Sequence, residues 1–300
     1  MTTRIIDRGY RHYLGPRRGV VGSMRSVVRH TTERCLGLHR PARAKVFPVL
    51  VVVLAYVPTL VYVGVAVIGN RLEREGAPGR ALAASFIPRY ADNYGQVVLA
   101  VILFAAFVAP EVLCPDRRSG MLGLYLASPL DRITYLVSKA ASVLMLVSLV
   151  TVGPGLILLI GYATQGYGPV GARDWATTVG RIIGAGLAIS VLYTMVALAI
   201  SSVTSRKAAA SASFVALMIG VPGLITYLII WAGASSSLGL LNLLTLPYEA
   251  VYRIFEEPTP FVYGGEPALS AGAVWAAYAG WVALSLLVIA DRYRRVQVTR

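Results

Sequence analysis

Apolar runs long enough to cross a lipid bilayer recur six times in this 300-residue chain, and nothing constrains its fold more. A membrane-spanning helix needs about 20 mostly apolar residues, because helical rise is about 1.5 Å per residue and the hydrocarbon is about 30 Å thick. Residues 46–69, 95–113, 133–163, 178–203, 208–232 and 268–290 meet that requirement. Only 14% of residues are charged, against about 25% in soluble domains. The expected fold class is all-α: a polytopic membrane protein of six transmembrane helices. Pro58 predicts a kink in the first run, and Pro222-Gly223 lies within the fifth. Gly153-Pro154-Gly155 predicts a break near the middle of the third. Gly180 and Gly184 form a small-xxx-small pair that would permit close helix approach, although chance pairs are expected among 29 glycines.

The charges sit between and around these runs. Eleven of the 28 Lys and Arg precede residue 46, so the net charge of +14 reads as a membrane-surface segment rather than a nucleic-acid interface. Within this arm Val20, Val21, Met24, Val27 and Val28 follow helical spacing, Thr31 and Cys35 continue the face, and Arg18, Arg25 and Arg29 project opposite. An amphipathic helix in the lipid interface, ended by Pro41, fits that pattern; a disordered basic arm is the competing reading. The chain thus divides into a basic arm, 1–45, a six-helix membrane domain, 46–290, and a basic tail, 291–300. No cleavable signal is expected, since 45 residues before the first span far exceed an n-region. Cys35 and Cys114 make no disulfide framework and read as small apolar fillers.

Counting Lys and Arg orients the chain. The arm (11), the segment between spans two and three (4), the 206–207 turn (2) and the tail (4) share one side, giving 21. The other side receives 7, whereas acidic residues split 6 and 8. The positive-inside rule then places both termini in the cytoplasm and the chain in the cytoplasmic membrane.

Residues 111–139, EVLCPDRRSGMLGLYLASPLDRITYLVSK, form the one sizeable charged, turn-rich segment inside the hydrophobic part. Ser128-Pro129-Leu130-Asp131 reads as a helix start, with Ser128 as N-cap, Pro129 at the first helical position and Asp131 three residues after the cap. The chain is expected to leave one span, make a short surface helix and re-enter, which would give a soluble partner a lever; an ordinary loop is the competing reading. On the other side, 70–94 reads as a polar loop. Residues 238–246 are apolar but too short to span, with Pro247 expected to stop them. A re-entrant or interfacial helix fits, as does a covering loop. Glu256-Glu257 follow and read as a solvated face.

Catalytic patterns are sparse. His12, His30 and His39 all lie in the basic arm, away from the spans where a membrane metalloprotease would need them. No Walker A sequence occurs, and the spans are nearly free of ionisable groups, Arg181 near one end excepted. No enzymatic activity, cofactor or metal is expected of this chain. Apolar walls suit hydrophobic or amphiphilic cargo better than small ions, with energy supplied by a partner.

Asp116-Arg117-Arg118-Ser119-Gly120, the Leu-Tyr-Leu of 124–126, Ser128-Pro129-Leu130, Arg132 and Lys139 resemble the signature of type-2 ABC exporter permeases. Ser138 stands where that family commonly has Gly, and the motif covers about 25 residues. The layout also resembles the family: six spans, cytoplasmic termini, an N-terminal interfacial helix (17–36) and a re-entrant segment (238–255). The resemblance implies that 116–128 is a coupling helix docking on a separate ATPase subunit, which would bind ATP and Mg. Glu111, Asp116, Arg117 and Arg118 would be its polar contacts, and Met121, Leu122 and Tyr125 its apolar anchor. It further implies a second permease chain, identical or homologous, across the pathway. The alternative from another class is a non-transporting membrane scaffold or assembly protein that recruits a soluble partner through the same helix.

Overall fold

The computed structural model describes residues 19–38, 41–76, 78–120, 130–260 and 269–294, and no strand occurs among them. Helix α1 spans Gly19–Cys35, α2 Arg43–Arg74, the short α3 Gly79–Phe86 and α4 Tyr90–Arg118. They are followed by α5, Arg132–Thr164, and α6, Ala172–Val203. Next comes α7, Lys207–Trp231, with a π-helical turn at Ala216–Gly220. A 3₁₀ turn at Ser236–Leu241, α8 at Leu246–Phe255 and α9 at Ala271–Arg294 complete the order. Six of these, α2, α4, α5, α6, α7 and α9, are long and apolar enough to cross a membrane. The chain is an all-α, multi-pass membrane protein.

Helix α4 is the axis of the bundle. Its most apolar stretch is 78% buried, against 22% for α2 and 17% for α9. Val97, Val101, Phe104 and Val108 have essentially no exposure, and α5 and α6 pack around them. The outer faces of α2 and α9 stay apolar and uncovered, as lipid-facing helices do: hydrocarbon does not drive them inward, and close packing decides which faces meet.

Three local expectations change. Pro154 does not break α5, which runs unbroken from Arg132 to Thr164. Its missing N–H frees one carbonyl, and the neighbouring turn accepts a donor from outside: Tyr56 of α2 donates its hydroxyl to Leu149 O at 2.8 Å. Gly153 makes room for that hydroxyl, since a Cβ there would lie 1.9 Å from Tyr56 Oη. Residues 70–94 are not a plain loop. α2 continues to Arg74, and α3 folds back on it where Gly79 meets the carbonyl of Gly69. Finally, Pro247 opens a helix instead of stopping one, because a residue without N–H costs nothing in the first turn.

Close approach of α5 and α6 depends on Gly186, not on the Gly180–Gly184 pair. A Cβ at Gly186 would stand 2.5 Å from Val152 Cγ2 and 3.1 Å from its backbone N and Cα. One at Gly180 would meet nothing within 4 Å, and one at Gly184 only Ile254 at 3.9 Å. Gly186→Ala is therefore expected to destabilise the bundle by about 1–3 kcal/mol through overpacking against backbone. Gly180→Ala should leave it unchanged or slightly more stable. Thermal unfolding in detergent separates the two, and equal midpoints for both variants would refute this contact.

The helix ends define two faces. At one, called here the basic face, α1 and the ends of α4 and α9 meet the starts of α5 and α7. At the opposite face, Tyr94 donates to Ile182 O (2.7 Å), Tyr252 to Asp92 (2.6 Å) and Tyr162 to Pro88 O (3.3 Å). Helix α8 is buried along most of its length between α4, α6 and α9. Its first turn places Tyr248 against Tyr193, well inside α6. Its last residue, Phe255, lies by Tyr90 and Tyr94 at the opposite face. There Arg181 donates to Phe255 O (2.9 Å) and pairs with Glu256 (2.5 Å), while Glu257 pairs with Arg89 (3.4 Å).

Candidate functional site

The last two turns of α4, from Glu111 to Arg118, gather most of the buried charge at the basic face. A charge in a low-dielectric interior is costly unless paired and hydrogen-bonded. Asp116 is 2% exposed, and its carboxylate is fully engaged. Oδ2 accepts from Lys139 Nζ at 2.7 Å and from Tyr135 Oη at 2.9 Å, while Arg34 Nη1 approaches Oδ1 at 3.3 Å. These partners come from α5 and α1, so one carboxylate joins three helices.

The neighbouring residues extend the network. Lys139, 1% exposed, also donates to Thr31 Oγ1 of α1 at 3.3 Å and sits 5.5 Å from the centroid of the Tyr135 ring. Tyr135 in turn lies 6.4 Å, ring to ring, from Tyr293 near the end of α9. Arg34 donates through Nη2 to Glu111 O at 2.6 Å. The Glu111 side chain, 5% exposed, pairs with Lys207 at the head of α7. Arg117 donates to Ser202 O, a carbonyl left open in the last turn of α6. Cations are also favoured at that end of a helix by its dipole.

Helix α1 is anchored through this network. Val27, Thr31 and Cys35 are its buried line, packed on α5, while Val20 and Val21 at its start remain exposed. Arg34 shares the inward face, three residues beyond Thr31. Arg29 stays outward and pairs with Glu33 one turn on.

Of the sequence-derived site residues, Glu111, Asp116 and Arg117 are brought together, but facing inward and bonded within the chain. Arg118 is exposed at the surface. Gly120 turns the chain away from α4 with φ +66°, a conformation that favours glycine. Met121, Leu122, Tyr125, Ser128 and Pro129 lie outside the described residues. Asp131 is the N-cap of α5 and not an interior residue of its first turn, so the helix starts three residues later than the spacing predicts. Asp131 Oδ1 accepts from Thr134 N at 2.8 Å, and Thr134 Oγ1 reaches back to the Asp131 N–H at 2.9 Å. The Thr134 hydroxyl and amide hold the Asp131 carboxyl below the usual carboxylate range. This reciprocal cap starts α5, and Leu130, 4% exposed, fixes the entry.

Arg34, Tyr135 and Lys207 complete the cluster without having been singled out as site residues. Only Arg34 left a usable trace, its spacing from Val27 and Thr31 on one helical face. Among the described residues no group of three or more His, Cys, Asp or Glu could hold a metal ion. The cluster ties α1 and the ends of α6, α7 and α9 to α4 and α5, the two stems that bracket 119–131. No family model matches this sequence, and no curated protein matches it.

Proposed function

We propose that this chain is the membrane-spanning subunit of an ATP-driven exporter, moving a hydrophobic or amphiphilic substrate across the cytoplasmic membrane. The basic face is then cytoplasmic, and 119–131 is the element on which a separate ATPase subunit pushes. The observation that carries this reading is the bracing of that segment. Its two stems, α4 and α5, are locked to each other by Asp116 with Lys139 and Tyr135, and to α1, α6 and α7 by Arg34, Arg117 and Glu111. A force applied to 119–131 therefore moves helix ends together instead of bending a loop.

In this reading Glu111, Asp116 and Arg117 set the position of the lever from within, while Arg118 and the apolar residues Met121, Leu122 and Tyr125 meet the partner. An apolar plug supplies affinity and rim charge fixes register. Helix α8, rising from beside Tyr193 to the opposite face, is the re-entrant segment. A second permease chain completes the pathway, and ATP and Mg stay on the ATPase.

The test is affinity isolation of the tagged chain from its native membrane, with ATPase activity measured in the eluate. A co-purifying Walker-type ATPase is expected, and it should be lost in Arg118→Ala/Tyr125→Ala while the chain's unfolding midpoint is unchanged. Absence of any ATPase, in lipids that preserve complexes, would replace this reading with a non-transporting scaffold.

A further inference from the structure

Beside the buried cluster, on the outside of the basic face, the end of α4 and the start of α7 enclose an open cavity of about 690 Å³. It is lined by Cys114, Pro115, Arg118, Ser119, Ser205, Arg206, Lys207 and Ala208, with no acidic side chain among them. Lys207 has its carboxylate in Glu111, set behind the cavity wall. Among the described residues, no carboxylate pairs with Arg118 or Arg206. Two guanidinium groups from separate helices thus share one cleft, and among the described residues neither is paired with a carboxylate. Like charges held together in a concave site repel each other and concentrate anions from solution.

The backbone adds to this field. Arg206 is the N-cap of α7, in extended conformation and with no side-chain cap. The first amides of α7 therefore lack a side-chain acceptor where the positive end of the helix dipole opens beside the cavity. Both walls lie where spans end: Arg118 closes α4 and Lys207 begins α7. That is the level of lipid phosphates.

We infer that this cavity binds a phosphate ester. A guanidinium presents parallel N–H donors that match phosphate oxygens, and paired guanidiniums suit a group bearing one or two negative charges. The ester is either the headgroup of an anionic lipid from the adjoining leaflet or a soluble phosphomonoester. The inference uses only the cavity and its charges; it shares Arg118 with the partner contact proposed above, and direct binding to the isolated chain tests it without any ATPase.

The experiment is calorimetric titration of the purified full-length chain in a neutral detergent at low salt. The probes are dihexanoyl phosphatidylglycerol, dihexanoyl phosphatidylcholine and glycerol 3-phosphate, and the comparison is wild type with Arg118→Gln/Arg206→Gln. Phosphatidylglycerol affinity is expected to fall by about tenfold or more in the double variant, with phosphatidylcholine indifferent, if the site takes a lipid. Glycerol 3-phosphate binding with the same sensitivity assigns a soluble ester. Arg206→Lys, which restores one charge, should recover part of the loss. This arm keeps the test decisive even if the glutamine variant lowers the unfolding midpoint. No binding by wild type, or an equal loss in Arg292→Gln/Arg294→Gln on the same face, would overturn the site.

Discussion

Asp116→Ala is expected to lower stability by about 3–5 kcal/mol, the usual cost of removing one partner of a buried ion pair. The reason lies in what remains. Lys139 is 1% exposed and would lose the carboxylate oxygen 2.7 Å from its ammonium, with Thr31 and the Tyr135 ring still beside it. The ammonium would stay desolvated with that close charge partner removed, and Tyr135 would lose its hydrogen bond to Asp116. Arg34 has an escape, since its side chain is 19% exposed and it also bonds Glu111 O. Most of the loss is therefore assigned to Lys139, and a double-mutant cycle tests that assignment. Asp116→Asn with Lys139→Met should be less harmful than Asp116→Asn alone, because the second change removes the buried charge that Asp116 neutralised. Thermal unfolding in detergent gives the stability, and proteolysis within 36–42 reports whether α1 has come off α5. If Asp116→Ala unfolds like wild type with α1 still protected, the carboxylate does not brace these helices.

The features that sequence could and could not disclose follow physical lines. Span existence was legible because a run such as 178–203 is apolar around its whole circumference, a signal that needs no partner to interpret. Helix ends were less so. α2 and α4 extend past their apolar runs, to Arg74 and Arg118, since a helix does not stop where the hydrocarbon does. Pro154 and Pro247 misled because a proline does not by itself end a helix: α5 runs on through Pro154, and Pro247 sits in a first turn, where a missing N–H costs nothing. Gly186 carried no mark separating it from Gly180; only the facing backbone of Val152 does so. The cluster was half visible. Asp116 and Lys139 stood within one resemblance motif, but Arg34 lies 82 positions before Asp116 and Lys207 lies 96 after Glu111. No local pattern relates charges so far apart. The inward direction of Glu111 and Asp116 was hidden too, since a DRR turn reads as surface until its partners are placed.

In the buried first turn of α8, Glu249→Ala is expected to be comparably damaging, about 3–5 kcal/mol. The Glu249 side chain has no exposure, and its partner Arg253, one turn later on α8, is 16% exposed. The order, acid before base at i and i+4, suits the helix dipole, but burial rather than helix propensity sets the scale. Glu249 also accepts from Thr259 Oγ1 at 3.1 Å, while Arg253 reaches Glu249 O at 2.8 Å and Leu269 O. One ion pair thus ties α8 both to the chain that follows it and to the approach to α9. Without Glu249 the guanidinium keeps two carbonyls and loses the carboxylate it pairs with, so α8 should loosen from α6 and α9. Glu249→Leu with Arg253→Met replaces the pair by apolar groups of similar volume and should recover most of the loss, because two desolvation costs disappear together. Hydrogen exchange across 246–260 reads the local effect and thermal unfolding the global one. A Glu249→Ala chain with wild-type exchange in α8 would mean that the pair is solvated and that apolar contacts of Tyr248, Val251 and Phe255 alone seat this helix.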